Sequence, residues 1–170
     1  MTIGVSRSRV SRRRALGRRA FTLIEVLLVV GILGITAAIA IPRVGGSLEY
    51  QRVDGAARML AADLELARRN AMTTSTTQRF TYRAGAVPEY EIEGMDNPSR
   101  PGESYIVRPS RQGFNVEFVS VAFGSDAEPA TIEFDMYGAP DSAGTVTLRA
   151  GAHTRVITVG AISGSVEVSR

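Results

Sequence analysis

The sequence predicts an α+β protein in which a long N-terminal helix, apolar in its first half and amphipathic in its second, packs on an antiparallel β-sheet domain. Three observations carry this expectation. A run from Phe21 to Ile41 holds a single charge, Glu25; apolar residues then recur at helical spacing up to Ala71; and from Gln78 onward the hydrophobic period falls to two.

Composition excludes several functions at once. The 170 residues suit one domain of ordinary size. The absence of Cys removes disulfides, thiolate metal sites and a Cys nucleophile, and a single His removes any centre needing two imidazoles. No cofactor is expected. The net charge of +3 divides unevenly, because seven arginines (Arg7, Arg9, Arg12, Arg13, Arg14, Arg18 and Arg19) and no acid fall in residues 1–20. The remainder carries 13 basic against 17 acidic groups, a net negative body that disfavours DNA as a partner.

The arginine block precedes the apolar run, an arrangement that holds the block on the cytoplasmic side of a membrane. A helix of about 20 residues spans roughly 30 Å, the thickness of a bilayer core, so residues 21–42 are expected to cross inner-membrane lipid once. Glu25 is the anomaly in that span. A charge there costs on the order of 3 kcal/mol and calls for a partner, yet the run contains no Lys, Arg or His. Cleavage between Ala20 and Phe21 would create a cationic α-amine four residues before Glu25. In a stack of staggered parallel helices, that amine can reach the carboxylate of a neighbouring subunit.

The string RRAFTLIEVLLVVGILGITAAIAIP resembles the type III signal of type IV pilins and type II secretion pseudopilins. The resemblance implies that a prepilin peptidase removes the basic leader, residues 1–20, with Ala20 before the cut. It also implies that Phe21 becomes the N-methylated terminus, that Glu25 guides assembly, and that Pro42 is the proline near the end of the span. The residue before the cut is commonly Gly in that family and is Ala here. Other exports are less well matched. An ordinary secretory signal cut after Ala38, Ile39 and Ala40 would have to carry Glu25 in its apolar core and run longer than such cores do. A twin-Arg signal around Ser11 to Leu16 lacks a downstream cofactor site.

Beyond Pro42 the residues Val44, Leu48, Val53, Ala57, Leu60, Leu64, Ala67 and Ala71 trace an amphipathic helix over residues 43–76. Its wet face is expected to carry Arg52, Asp54, Arg58, Asp63, Glu65, Arg68 and Arg69, with Asp54–Arg58 and Glu65–Arg69 in the favourable i, i+4 order. Pro42 predicts a kink or melted turn between Ile41 and Gly46, where Gly45 and Gly46 serve either a flexible membrane exit or filament bending. The β-branched run Thr73 to Thr77 should end the helix.

Strands are expected at Phe80 and Tyr82, Tyr90 and Ile92, Val116 to Phe123, Ile132 to Met136, Val146 and Leu148, Ile157 and Val159, and Val166 and Val168. With no further helical pattern to make crossovers, residues 77–170 should form one antiparallel sheet wrapped on the stripe from Leu48 to Ala71. Within it, TIEFDMYGAP and TVTLRAGAHTRVITVGAISG resemble the C-terminal domain of H-type minor pseudopilins and FimT-type minor pilins, the GspH/FimT family, with Phe134 and Gly138 in its F-x-x-x-G turn.

Chemistry-bearing residues are few. Glu89, Glu91 and Glu93 lie along one strand face, where they read as solvated rather than as a converging calcium site. His153 reads as an exposed turn residue, and the five tyrosines mostly as core. Arg100, Arg108 and Arg111 form a small patch at most, and the segment from Gly160 to Arg170 contains Glu167 and only the terminal Arg170, with Ala161 where FimT-type DNA binders carry Arg.

Together the resemblances imply a non-enzymatic minor pseudopilin of a type II secretion system. Such a subunit is single-pass in the inner membrane with its C-terminal domain in the periplasm. Its partners are the prepilin peptidase, major and minor subunits of the filament, and secreted cargo. The alternative is a FimT-type minor pilin of a type IV pilus engaged in DNA uptake.

Overall fold

A computed structural model describes residues 21–124 and 130–170, and of residues 39–45 it describes the backbone alone. The leader with Ala20 and the side chain of Pro42 lie outside the described residues. The chain divides into two compact units, Met1–Ala40 and Ile41–Arg170.

Helix α1 runs from Leu23 to Thr74. Thr22 starts it: its hydroxyl accepts from the backbone N–H of Glu25 at 3.3 Å, and its carbonyl takes the first turn's N–H groups. The helical backbone continues through Pro42, Gly45 and Gly46, so the melted turn expected there is not adopted. Its end falls in the β-branched run, with Ser75 in left-handed backbone at φ +54°.

In the second unit the eight strands are β1 (Gln78–Arg83), β2 (Glu89–Asn97), β3 (Arg100–Val107), β4 (Glu117–Phe123), β5 (Ala130–Phe134), β6 (Gly144–Ala150), β7 (His153–Val159) and β8 (Val166–Ser169). They form two antiparallel sheets rather than the single one expected, in the orders β3-β2-β1-β5 and β4-β6-β7-β8. The single-sheet expectation fails because period-two alternation gives each strand an inner face without saying which strands share a sheet. β3 escapes the alternation as well: Pro101 and Gly102 interrupt it, and an edge strand tolerates a residue that cannot donate to the ladder. Among the described residues, the helical structure after Thr74 is one 3-10 turn, Pro109–Gln112.

Both sheets and the helix share one core. Val53, Ala56, Ala57, Leu60, Leu64, Ala67 and Ala71 are buried on α1, against Phe80, Tyr90, Ile92, Ile132 and Phe134 of the first sheet and Phe123, Val146, Leu148 and Ile157 of the second. Phe80 stacks on Tyr90 at 5.0 Å and meets Phe123 edge-on at 6.0 Å, which ties the sheets together. Each such buried aromatic contributes about 1.5–3 kcal/mol. Gly55 supplies the room for Phe114 to lie on the helix, since a Cβ there would meet the ring at 2.7 Å. The expected stripe begins too early: Leu48 is 45% exposed, and burial starts at Val53.

Candidate functional site

The N-terminal unit presents an apolar helix with its acid in the first turn. Thr22-Leu23-Ile24-Glu25 has the spacing of a capping box, and a carboxylate there also faces the positive end of the helix dipole. Glu25 therefore has a local reason to sit where it does, one that T-x-x-E before an apolar run signals in the sequence. Every described side chain from Phe21 to Ala38 is exposed, among them Leu23 at 83% and Ile35 at 67%. Thr36 returns its hydroxyl to the carbonyls of Ile32 and Leu33 at 2.9 Å, so it adds no unsatisfied polar group to this surface. Among the described residues no helix is long and apolar enough to cross a membrane; the side chains of Ile39 to Ile41, which complete the apolar run, lie outside that set.

In the second unit, Asp63 is the residue the sequence misplaces. It was expected on the wet face but is 7% exposed. Ala56, Leu60, Asp63 and Ala67 follow spacings of four, three and four, so helical geometry alone puts it on the buried face. Tyr90 Oη donates to Asp63 Oδ2 at 2.6 Å and Tyr105 Oη to Oδ1 at 2.8 Å, joining α1 to β2 and β3. Burial raises the Asp63 carboxyl above the usual carboxylate range, against the two hydrogen bonds that favour its ionised form. The same burial, with the carboxylate alongside, pushes both tyrosine hydroxyls up.

A second anchor holds the other sheet. Arg155 alternates with Ile157 and Val159 on the inner face of β7 and is 6% exposed. Its Nε donates to Asp54 Oδ1 at 3.0 Å, and its guanidinium lies 4.7 Å from the centre of the Tyr50 ring. Asp54 also accepts from Arg58 Nε at 2.7 Å, and these two hydrogen bonds, Arg58's first, hold its carboxyl below the usual range. The second expected helix pair, Arg69 to Glu65, is present at 3.1 Å. His153 is not a free turn residue: it opens β7, half-buried and edge-on to Tyr50 at 5.7 Å.

The F-x-x-x-G segment forms a tight turn. Asp135 Oδ1 accepts from the backbone N–H groups of Tyr137 and Ala139 at 2.9 and 2.8 Å, while Gly138 takes φ +78°. The Gly138 carbonyl accepts from Arg68 Nε at 3.1 Å, and a Cβ on Gly164 would lie 2.5 Å from that carbonyl. Two glycines thus allow the β5–β6 and β7–β8 turns to close on the end of α1. Phe134 is fully buried beneath them.

The glutamates of β2 are paired rather than simply solvated, to Arg108 (2.6 Å), Arg83 (2.6 Å) and Arg79 (3.3 Å) for Glu89, Glu91 and Glu93. Among the described residues no group of three or more acids or imidazoles converges as a metal site would require. Arg100, Arg108 and Arg111, separate in sequence, line one cleft of about 480 Å³.

Comparison with known proteins adds the following. The family model described as Type II transport protein GspH matches residues 56–163, and the prokaryotic N-terminal methylation motif matches residues 16–41. The pilin-like protein PilA1 of Thermus thermophilus is 38% identical over 101 residues, which cover 56% of this chain and 62% of that protein. The match therefore spans less than two thirds of that relative's length. Two crystal structures of the type IV minor pilin FimU of Pseudomonas aeruginosa are similar to the chain at TM-scores of 0.49 and 0.48. They share 15% and 16% identity with it, over 69% of this chain and 88% and 92% of theirs. Because the GspH model covers more than half of the chain and the methylation motif covers its helix start, the chain belongs to the GspH family of structural, type IV pilin-like proteins.

Proposed function

We propose that the chain is a minor pseudopilin, a non-enzymatic subunit of the periplasmic filament of a type II secretion system. The observation that carries this reading is the pairing, in one chain, of the methylation motif over residues 16–41 with the GspH match over residues 56–163. A prepilin peptidase cuts between Ala20 and Phe21 and methylates Phe21, leaving the inner membrane to hold a single span with the β domain in the periplasm. Residues 21–42 then stack with the helices of other subunits, and Pro42 bends the helix where it leaves the stack. A stagger of four residues, about 6 Å, brings the Phe21 amine of one subunit level with Glu25 of the next. Paired, the two charges compensate each other in an apolar surround; apart, each carries its desolvation cost.

A second reading, a FimT-type minor pilin in DNA uptake, draws on the cleft shared by Arg100, Arg108 and Arg111. Against it, two of those arginines are already ion-paired, to Glu103 and Glu89. Deleting the gene separates the readings. Export of secreted proteins should fail while uptake of labelled DNA continues; normal export with lost uptake would select the second reading.

A further inference from the structure

The outer edge of the β2–β3 hairpin borders a cleft whose charged rim the filament role does not use. Its register slips between Ile92 and Asp96 and again before Asn97, and Gly94 (φ +71°) and Gly102 (φ +87°) take left-handed backbone there. The bent hairpin brings its tip, Asn97 to Arg100, to the same cleft as Tyr105 to Val107 at the far end of β3 and Arg108, which continues in extended backbone just beyond it, with Arg111 and Gln112 at the border. Four consecutive residues of chain line this cleft. Successive side chains of a strand point to opposite faces, so a cavity bordered by all four lies against the strand's edge and not over one face. Among the described residues that edge is open, because β3 is the outermost strand of its sheet and pairs there with β2 alone.

We propose that this edge receives an extended acidic peptide segment of a partner protein, added as a further strand beside β3. An open edge offers N–H and C=O groups at strand spacing, which a peptide backbone matches and a sugar-phosphate backbone does not. The four edge residues hold a segment of about 13 Å. The charge at the rim selects acids. Arg100 and Arg108 are partly neutralised by Glu103 at 3.3 Å and Glu89 at 2.6 Å, whereas Arg111 is exposed and has no carboxylate partner among the described residues. A nucleic acid fits less well, since it meets a body of 13 basic and 17 acidic groups beyond the leader. The inference stands on the cleft and not on which machine the chain serves.

The test uses the full chain in detergent micelles and a fluorescent peptide alternating Glu with Val, followed by anisotropy. Saturable binding is expected, weakened about tenfold by Arg111→Glu and lost to a similar degree when alternate peptide nitrogens are methylated. Among the described residues Arg111→Glu touches no ion pair, and an unchanged melting temperature verifies its fold; the methylated peptide tests edge pairing on the unaltered chain. Absence of saturable binding, indifference to Arg111→Glu in a folded variant, or indifference to backbone methylation would overturn the proposal. So would tighter competitive binding by a single-stranded oligonucleotide, which would assign the cleft to nucleic acid.

Discussion

Glu25→Gln is expected to leave the chain in the membrane at normal abundance and to remove it from filaments. Glutamine serves a capping box as glutamate does, and the Thr22 hydroxyl still accepts the N–H of residue 25, so the start of α1 survives. What disappears is the negative charge that the proposed assembly sets opposite a neighbour's terminal amine. Removing one partner of a buried ion pair costs about 3–5 kcal/mol, because the other charge stays uncompensated. At 1.4 kcal/mol per decade this is roughly a hundredfold or larger loss of incorporation. Glu25→Ala is the less informative variant, since it also weakens the helix start. The ratio of sheared filament to membrane-bound chain, measured by immunoblot, reads the effect. A parallel fall of both pools would assign Glu25 to folding of the helix.

The second large effect is expected at Asp63. Asp63→Leu strands the hydroxyls of Tyr90 and Tyr105, the first on a fully buried residue, and should cost about 2–6 kcal/mol of stability at one to three per unsatisfied group. Asp63→Asn keeps an acceptor and a donor in the same place but no longer titrates, so it isolates the pH dependence. The Asp63 carboxyl is raised in the folded chain, so between its ordinary value of 3.8 and that higher value the folded state binds more protons than the unfolded one. Stability therefore declines as pH rises through this window, and Asp63→Asn abolishes the decline. Asp54 acts on the other flank: its lowered carboxyl gives stability that is present above 3.8 and is lost as pH falls below it. Urea melts of the three chains from pH 3 to pH 8 check the signs. An Asn variant whose stability tracks the parent through the window above 3.8 would contradict the assignment to Asp63.

The helix and most strands were legible because their signals are local. Period two over Ile132 and Phe134, or over Ile157 and Val159, reports an inner face directly, and all four are buried. Sheet partition was not legible, because it depends on pairing between distant segments such as β1 with β5. Nor was Asp63, since charge argued for solvent while helical spacing argued for the core, and the two hydroxyls that settle the conflict lie 27 and 42 residues away. Arg155 was hidden in the same way, its partner Asp54 being 101 residues upstream. The acidic cap at Glu25 could have been read from T-x-x-E alone. The cleft around Arg111 needed the bent hairpin.

We propose that the chain in its working form begins at Phe21. Mass spectrometry of the terminus of protein purified from its native membrane tests this directly. A terminal phenylalanine carrying one added methyl group is expected, with the arginine-rich leader gone. A terminus at Met1 or at Ile41 would contradict it, leaving Glu25 without the neighbouring amine on which the assembly argument depends.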